Sequence, residues 1–204
     1  MEIKCLPYGM FGSNSYIIGN QGECAVVDAG VGSGDIMDAA GEKKIKYIIL
    51  THGHIDHICC ADELKEKTGA KVLIHEGDAG FLADSMKNGS ALFGAARSFK
   101  AADDFLKDGD TLEVGGMQLQ IIHTPGHSPG CICIRVDKQL FTGDTLFRMS
   151  IGRTDLEGGN HREIIDSIQS KLLVLAEETV VYPGHGESST IGFEKKHNPF
   201  VRIR

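Results

Sequence analysis

Residues 51–57 read THGHIDH and hold three of the chain's nine histidines. The apolar, β-branched run IKYIIL (45–50) stands directly before them, and ICCADELKEKTG (58–69) directly after them reads as a helix ending at Gly69. The cluster therefore falls at a strand-to-helix junction. There, side chains project off the end of a sheet into open space.

Four more apolar runs stop at Gly or Pro beside a residue that can bind a metal. They are VVDAG with Asp28, IIHTPGHSPG with His127, LFTGDTLF with Asp144 and VVYPGHGE with His185. Imidazole nitrogen and carboxylate oxygen suit Zn²⁺ first, and Fe or Mn²⁺ as well; no cysteine in these motifs argues against a closed structural zinc site. Five histidines (His52, His54, His57, His127, His185) and two carboxylates (Asp56, Asp144) are too many for one ion. Two divalent ions divide them: three nitrogens for one, two nitrogens and a carboxylate for the other. A carboxylate bridge then leaves room for a shared water, the arrangement of a two-metal hydrolase.

Isolated histidines are ordinarily capping or surface residues, and His75, His123, His161 and His197 read that way. The clustered ones do not, because burying so many polar groups without a cation is costly. Asp28 has two readings. It either orients a ligand histidine from behind or caps a turn before Gly30.

Around these motifs the chain alternates strands and helices. EIKCLPY, NSYIIG and ECAVVDAG read as strands, a short helix follows at 34–41, and KVLIH is the strand after the first cluster's helix. Residues 76–108, rich in Ala, Gly and charge, read as helical pieces. GMQLQIIHT, GCICIRV and QLFTG form a second strand set, and TVVYPG a last strand. NHREIIDSIQSKLLVL (160–175) is a helix capped by Asn160, with Glu163 at its third position and Ile164, Ile168, Leu172 and Leu175 on one stripe. Two such halves predict an α/β fold of two face-to-face sheets with helices outside, one domain over 1–204.

Composition narrows the partners. A net charge of −7 opposes binding to nucleic acid or an anionic membrane surface. No stretch has the length to span a bilayer, and Pro7, Gly9 and Gly12 interrupt the N-terminus where a secretory apolar region would lie. The expected compartment is the cytoplasm, with the six cysteines as free thiols. Vicinal Cys59 and Cys60 read as small packing residues or as a redox-sensitive pair.

THGHIDH, HTPGHSPG, FTGDTLF and PGHGE, in this order, resemble the metallo-β-lactamase superfamily and specifically its glyoxalase II-like hydrolases. The resemblance extends over nearly the whole chain, to NPFVRI (198–203) near its end. It implies a four-layer αββα sandwich. It further implies one metal on His52, His54 and His127, a second on Asp56, His57 and His185, and Asp144 as the bridge. The implied activity is hydrolysis of S-acyl thioesters such as S-lactoylglutathione by a metal-bridging hydroxide, with Asp56 and Asp144 as the catalytic carboxylates.

This sequence departs from the longer enzymes of that group. Their glutathione-binding helical domain has no counterpart here, and positions that grip the thiol carrier are Arg153, Asp155 and Glu187. The resemblance is therefore to the short, single-domain branch, with Arg153 as the residue suited to a substrate carboxylate. Persulfide dioxygenases of the same fold are the rival: they share a GRTD segment and hold one iron through the equivalents of His52, His127 and Asp144. Zinc β-lactamases, as a family, lack a bridging aspartate at the position of Asp144.

Overall fold

The computed structural model describes residues 1–201. Arg202–Arg204, which include part of NPFVRI and the C-terminal limit expected for the domain, lie outside the described residues.

Two six-stranded mixed sheets carry the chain. The first runs in sequence order: β1 (Glu2–Leu6), β2 (Ser15–Asn20), β3 (Glu23–Val27), β4 (Lys44–Ile49), β5 (Lys71–His75) and β6 (Asp104–Leu106). Its first three strands pair antiparallel and β3 to β6 pair parallel. Helix α1 (Ser33–Ala40), helix α2 (Ile55–Ile58) and helix α3 (Ala61–Thr68) lie in the β3–β4 and β4–β5 crossovers, and α4 (Ala79–Ala83) follows β5. The second sheet contains β7 (Thr111–Val114), β8 (Met117–His123), β9 (Ile132–Val136) and β10 (Gln139–Gly143), joined by β13 (Val180–Pro183) and β14 (Ser189–Thr190). Its spatial order is β14-β13-β10-β9-β8-β7. A small ribbon of β11 (Leu146–Phe147) and β12 (Ser150–Ile151), then helices α5 (His161–Ser167) and α6 (Ile191–His197), complete the elements.

Three stacked cores result, and strand alternation assigns residues to them. Tyr16 and Ile18 of β2 and Ala25 and Val27 of β3 face the second sheet, meeting Leu119, Ile121, Ile132, Ile134 and Phe141. Their neighbours Ile17, Cys24 and Val26 face the other way, against Ile36 of α1 and Ile58 and Leu64 of α2 and α3. On the far side Cys133, Leu140 and Val181 pack against Ile164, Ile168 and Ile191. The layers are helix, sheet, sheet, helix: the αββα sandwich expected from the motifs. Strands buried on both faces read as unbroken apolar runs, as AVV and YII do here.

Local structure departs from the sequence reading in three places. The helix expected after the histidine cluster begins inside it, at Ile55, and breaks at Cys60 (φ −113°, ψ 6°) before α3 starts. The helix expected over 160–175 ends its α-helical part at Ser167 and continues as a wider π-helical turn over Ile168–Leu172. Leu172 and Leu173, at the end of that turn, are both buried in the third core. Residues 76–108 include the short helix α4 and single turns as expected, but also the edge strand β6, and β7 precedes β8. Both strands are four residues or fewer, too short for a periodic signal.

Topology now places the site. β3 and β4 are parallel, β10 and β13 are parallel, and β8 runs parallel to β10 because each is antiparallel to β9. The carboxyl ends of these strands lie on one rim, where a crevice forms between loops.

Candidate metal centre

All seven expected ligands meet on that rim. Three groups have ligand atoms within 4.8 Å of one another: His52, His54 and His127; His52, His57 and Asp144; and Asp56, His57 and His185. His54 Nδ1 is 2.8 Å from His127 Nε2. His185 Nε2 is 3.1 Å from Asp56 Oδ2 and 3.2 Å from His57 Nε2. Asp144 stands between the groups, its Oδ1 3.3 Å from His57 Nε2 and its Oδ2 3.6 Å from both His127 and His185. This is the position a bridging carboxylate needs.

The far ring nitrogens explain how the near ones are aimed. Asp28 accepts from His57 Nδ1 at 2.8 Å, from the Thr51 hydroxyl at 2.8 Å and from the Thr51 backbone N–H at 2.7 Å. With its proton given to Asp28, the Thr51 oxygen accepts from His52 Nδ1 at 3.0 Å. His127 Nδ1 donates to the Arg153 carbonyl at 2.8 Å. Each bond fixes a tautomer and turns Nε2 toward the centre. Asp28 thus takes the orienting role. Its backbone is left-handed (φ 59°), a conformation that aspartate tolerates better than most residues.

Electrostatics fit a cation. Burial, aided by His57 and His127, holds His52 well below the usual histidine pKa, and burial followed by His127 takes His54 down to about 3. Both are neutral, the form a metal binds. Burial alone pulls His57 down, but Asp144, Asp56 and Asp28 overcome it and the net shift is upward. His185 is raised in the same way by Asp56 and Asp144. Asp56 stays ionised below the usual carboxylate range, because His57 and His185 outweigh its burial.

Among the described residues, the buried side-chain polar atoms without a hydrogen-bond partner are His52 Nε2, His54 Nε2 and Asp144 Oδ1. Such atoms are expensive to leave unpaired. All three belong to the cluster, so these residues fit divalent metal ions; His/Asp donors of this kind do not select one metal.

The supports include residues that the motifs did not reveal. Buried Asp78 accepts from the Gly53 and Gly130 N–H groups at 2.9 and 2.6 Å and from the Ser128 hydroxyl at 2.6 Å, tying the two histidine loops together. Burial raises its pKa against those bonds. Asn14 and Tyr16 both donate to the Pro183 carbonyl, and Ser13 donates to the Asp56 carbonyl. Ser13 and Asn14 directly precede strand β2 and Tyr16 lies within it, and no motif marks any of the three. Gly184 is required by close approach: a Cβ there would lie 2.2 Å from Asp144 Oδ1 and 2.8 Å from His57 Cε1.

The cluster forms the floor of a cleft of about 600 Å³. Arg153 lines it, with its guanidinium forked on Asp155 by bonds of 2.7 and 2.8 Å. Glu187 pairs with Arg148 at 3.4 Å. His75 and His123, outside the cluster, stack with ring centroids 3.9 Å apart. Cys59 and Cys60 are half-buried against the first core, with sulfurs 3.6 Å apart.

A family model of the metallo-β-lactamase superfamily matches residues 8–185. The chain is 35% identical to hydroxyacylglutathione hydrolase GloC of Haemophilus influenzae, covering 100% of both chains. It is 37% identical to a solved chain titled BLEG-1 B3 metallo-β-lactamase, with a TM-score of 0.93 over 98% of this chain and 99% of that one. TTHA1623, solved in a di-iron-bound form, shares 30% identity and a TM-score of 0.85 over 97% and 99%. The sandwich, its strand-end ligands and this near-complete likeness have one common origin, and the chain belongs to the metallo-β-lactamase superfamily.

Proposed function

We propose that the protein is a metal-dependent hydrolase of S-acyl thioesters that uses two divalent ions, zinc foremost. The observation that carries this is Asp144, whose two oxygens lie between a three-histidine group and an Asp–His–His group. His52, His54 and His127 would hold one ion, Asp56, His57 and His185 the other, and Asp144 both. Ions so held supply Lewis acidity to a carbonyl and acidify a shared water enough for attack at neutral pH. Asp28 and the Arg153 carbonyl hold the ligand rings, while Asp56 and Asp144 would accept hydrogen bonds from that water.

Likeness to GloC supports the thioester, and likeness to TTHA1623 supports two ions. Arg153, the one Lys or Arg lining the cleft, would take a substrate carboxylate only when Asp155 leaves its fork. The free cysteines suit a reducing compartment such as the cytoplasm; among the described residues no helix is long and apolar enough to cross a membrane.

The second reading, a mononuclear-iron persulfide dioxygenase, draws on the likeness to the solved ETHE1 of Myxococcus xanthus (28% identity, TM-score 0.82 over 98% of this chain and 84% of that one). β-Lactam hydrolysis, suggested by the likeness to BLEG-1, runs against the presence of Asp144. One experiment separates the candidates. Protein loaded with zinc, iron or manganese is assayed for metal content, thiol release from acyl thioesters, hydrolysis of a chromogenic cephalosporin, and oxygen uptake with a persulfide. Two ions with thiol release is the expected result. One iron with oxygen uptake makes it a dioxygenase instead, and cephalosporin turnover without thiol release makes it a lactamase.

A further inference from the structure

The wall above the metal floor is apolar. Phe11, Leu92 and Phe93 line the cleft although 57%, 59% and 61% of their surfaces are exposed. Phe11 and Phe93 come from distant segments, yet their ring centroids are 4.6 Å apart. Phe147, Ile151 and Leu156 line the same space. Large apolar side chains left in water beside a polar reaction centre mark a surface that a ligand covers.

The loop that carries Phe11 is built to present it. Phe11 itself has φ 57°, a strained backbone for a bulky aromatic residue. The turn is held by Gly12 N–H on Gly9, Ser13 N–H on Met10 and Met10 N–H on the Gly30 carbonyl. Ser13 then donates to the Asp56 carbonyl at 2.8 Å, so the aromatic wall is tied to a metal-ligand residue.

Charge points the same way. Arg153 is the one Lys or Arg among the cleft-lining residues, and Asp155 occupies its fork. A carrier with two carboxylates, as glutathione has, meets no uncommitted Lys or Arg among the lining residues.

We propose that Phe11, Leu92 and Phe93 form a seat for an uncharged apolar group of the substrate. On the hydrolase reading above, from which this follows, the preferred substrates are thioesters with an apolar acyl or thiol group, not anionic glutathione thioesters. Burying each methylene is worth roughly a fourfold gain in kcat/KM until the seat is full.

Two arms identify which half of the thioester sits there. One lengthens the acyl chain from acetyl to octanoyl on N-acetylcysteamine; the other keeps acetyl and lengthens an alkyl thiol. A roughly fourfold rise per methylene is expected in one arm, falling below twofold per methylene in a Phe11→Ala/Phe93→Ala variant. Flat series in both arms, or a tenfold preference for glutathione over N-acetylcysteamine with the same acyl group, overturns the proposal.

Binding of the neutral fluorophore N-phenyl-1-naphthylamine reads the seat without turnover. At least fivefold weaker binding is expected in the double variant, and equal binding in both proteins overturns the proposal. If no thioester is hydrolysed but the fluorophore result is as expected, the hydrolase reading falls and the apolar seat stands.

Discussion

Asp28 Oδ2 lies 2.8 Å from His57 Nδ1 and 2.8 Å from the Thr51 hydroxyl that accepts from His52. One buried carboxylate therefore sets the orientation of a ligand from each proposed metal. Asn accepts a left-handed backbone as readily as Asp, so Asp28→Asn removes the charge without straining the turn. Metal affinity should fall about 10- to 100-fold at both positions. Titration against a chromogenic chelator reads this directly, and loss confined to one ion contradicts the shared role.

Asp144→Ala removes the one carboxylate placed between the two groups. The three-histidine group keeps its members, so the variant should retain up to one ion and lose at least about 100-fold in kcat. Elemental analysis beside a thioester assay checks both numbers. Two ions retained with full activity would refute the bridge.

Asp78 predicts a stability effect separate from metal binding. Alanine there strands two backbone N–H groups and a buried hydroxyl, each worth about 1 kcal/mol or more. Metal-free Asp78→Ala should be destabilised by about 3 kcal/mol, read from the urea midpoint. Because the Gly53 and Gly130 loops are no longer tied, activity of the metal-loaded variant should fall as well.

Releasing Arg153 tests its partner choice. Asp155→Ala removes both bonds to the guanidinium, an exposed pair whose loss costs little stability. KM for a carboxylate-bearing thioester should drop several-fold, with little change for a neutral one. Arg153→Ala should reverse that gain. Identical kinetics in all three proteins would show that the guanidinium does not meet substrate.

The Cys59–Cys60 pair should react with alkylating agents ahead of the buried thiols Cys24, Cys131 and Cys133. The bond shared between Cys59 and Cys60 lowers the pKa of one thiol of the pair, whereas burial raises Cys24 to about 11 and Cys133 to about 12. The thiolate is the nucleophile, so alkylation by iodoacetamide should rise through neutral pH at the pair and leave the buried thiols untouched. Peptide mapping after brief labelling at pH 6 and pH 8 measures it. Uniform labelling would return the Cys59–Cys60 pair to plain packing.

The candidate ligands were legible in the chain because their signal is local, and the layer order was legible only through the resemblance that their motifs carry. A strand that ends at Gly or Pro before His or Asp announces itself within ten residues, and alternation tells which side chains face which layer. Helix α5 was visible from its Asn160 cap for the same reason. What required the tertiary structure is non-local. His54 and His127, 73 residues apart, meet because sheet order and strand direction bring their loops to one rim. Asp28 orients two histidines instead of capping a turn because β3 and β4 are parallel neighbours. Asp78 and the Phe11–Phe93 wall carry no motif, since each acts through a partner that only folding brings into contact. The π-helical turn after Ser167 has no signal in the 3.6-residue apolar stripe, which runs on through Leu172.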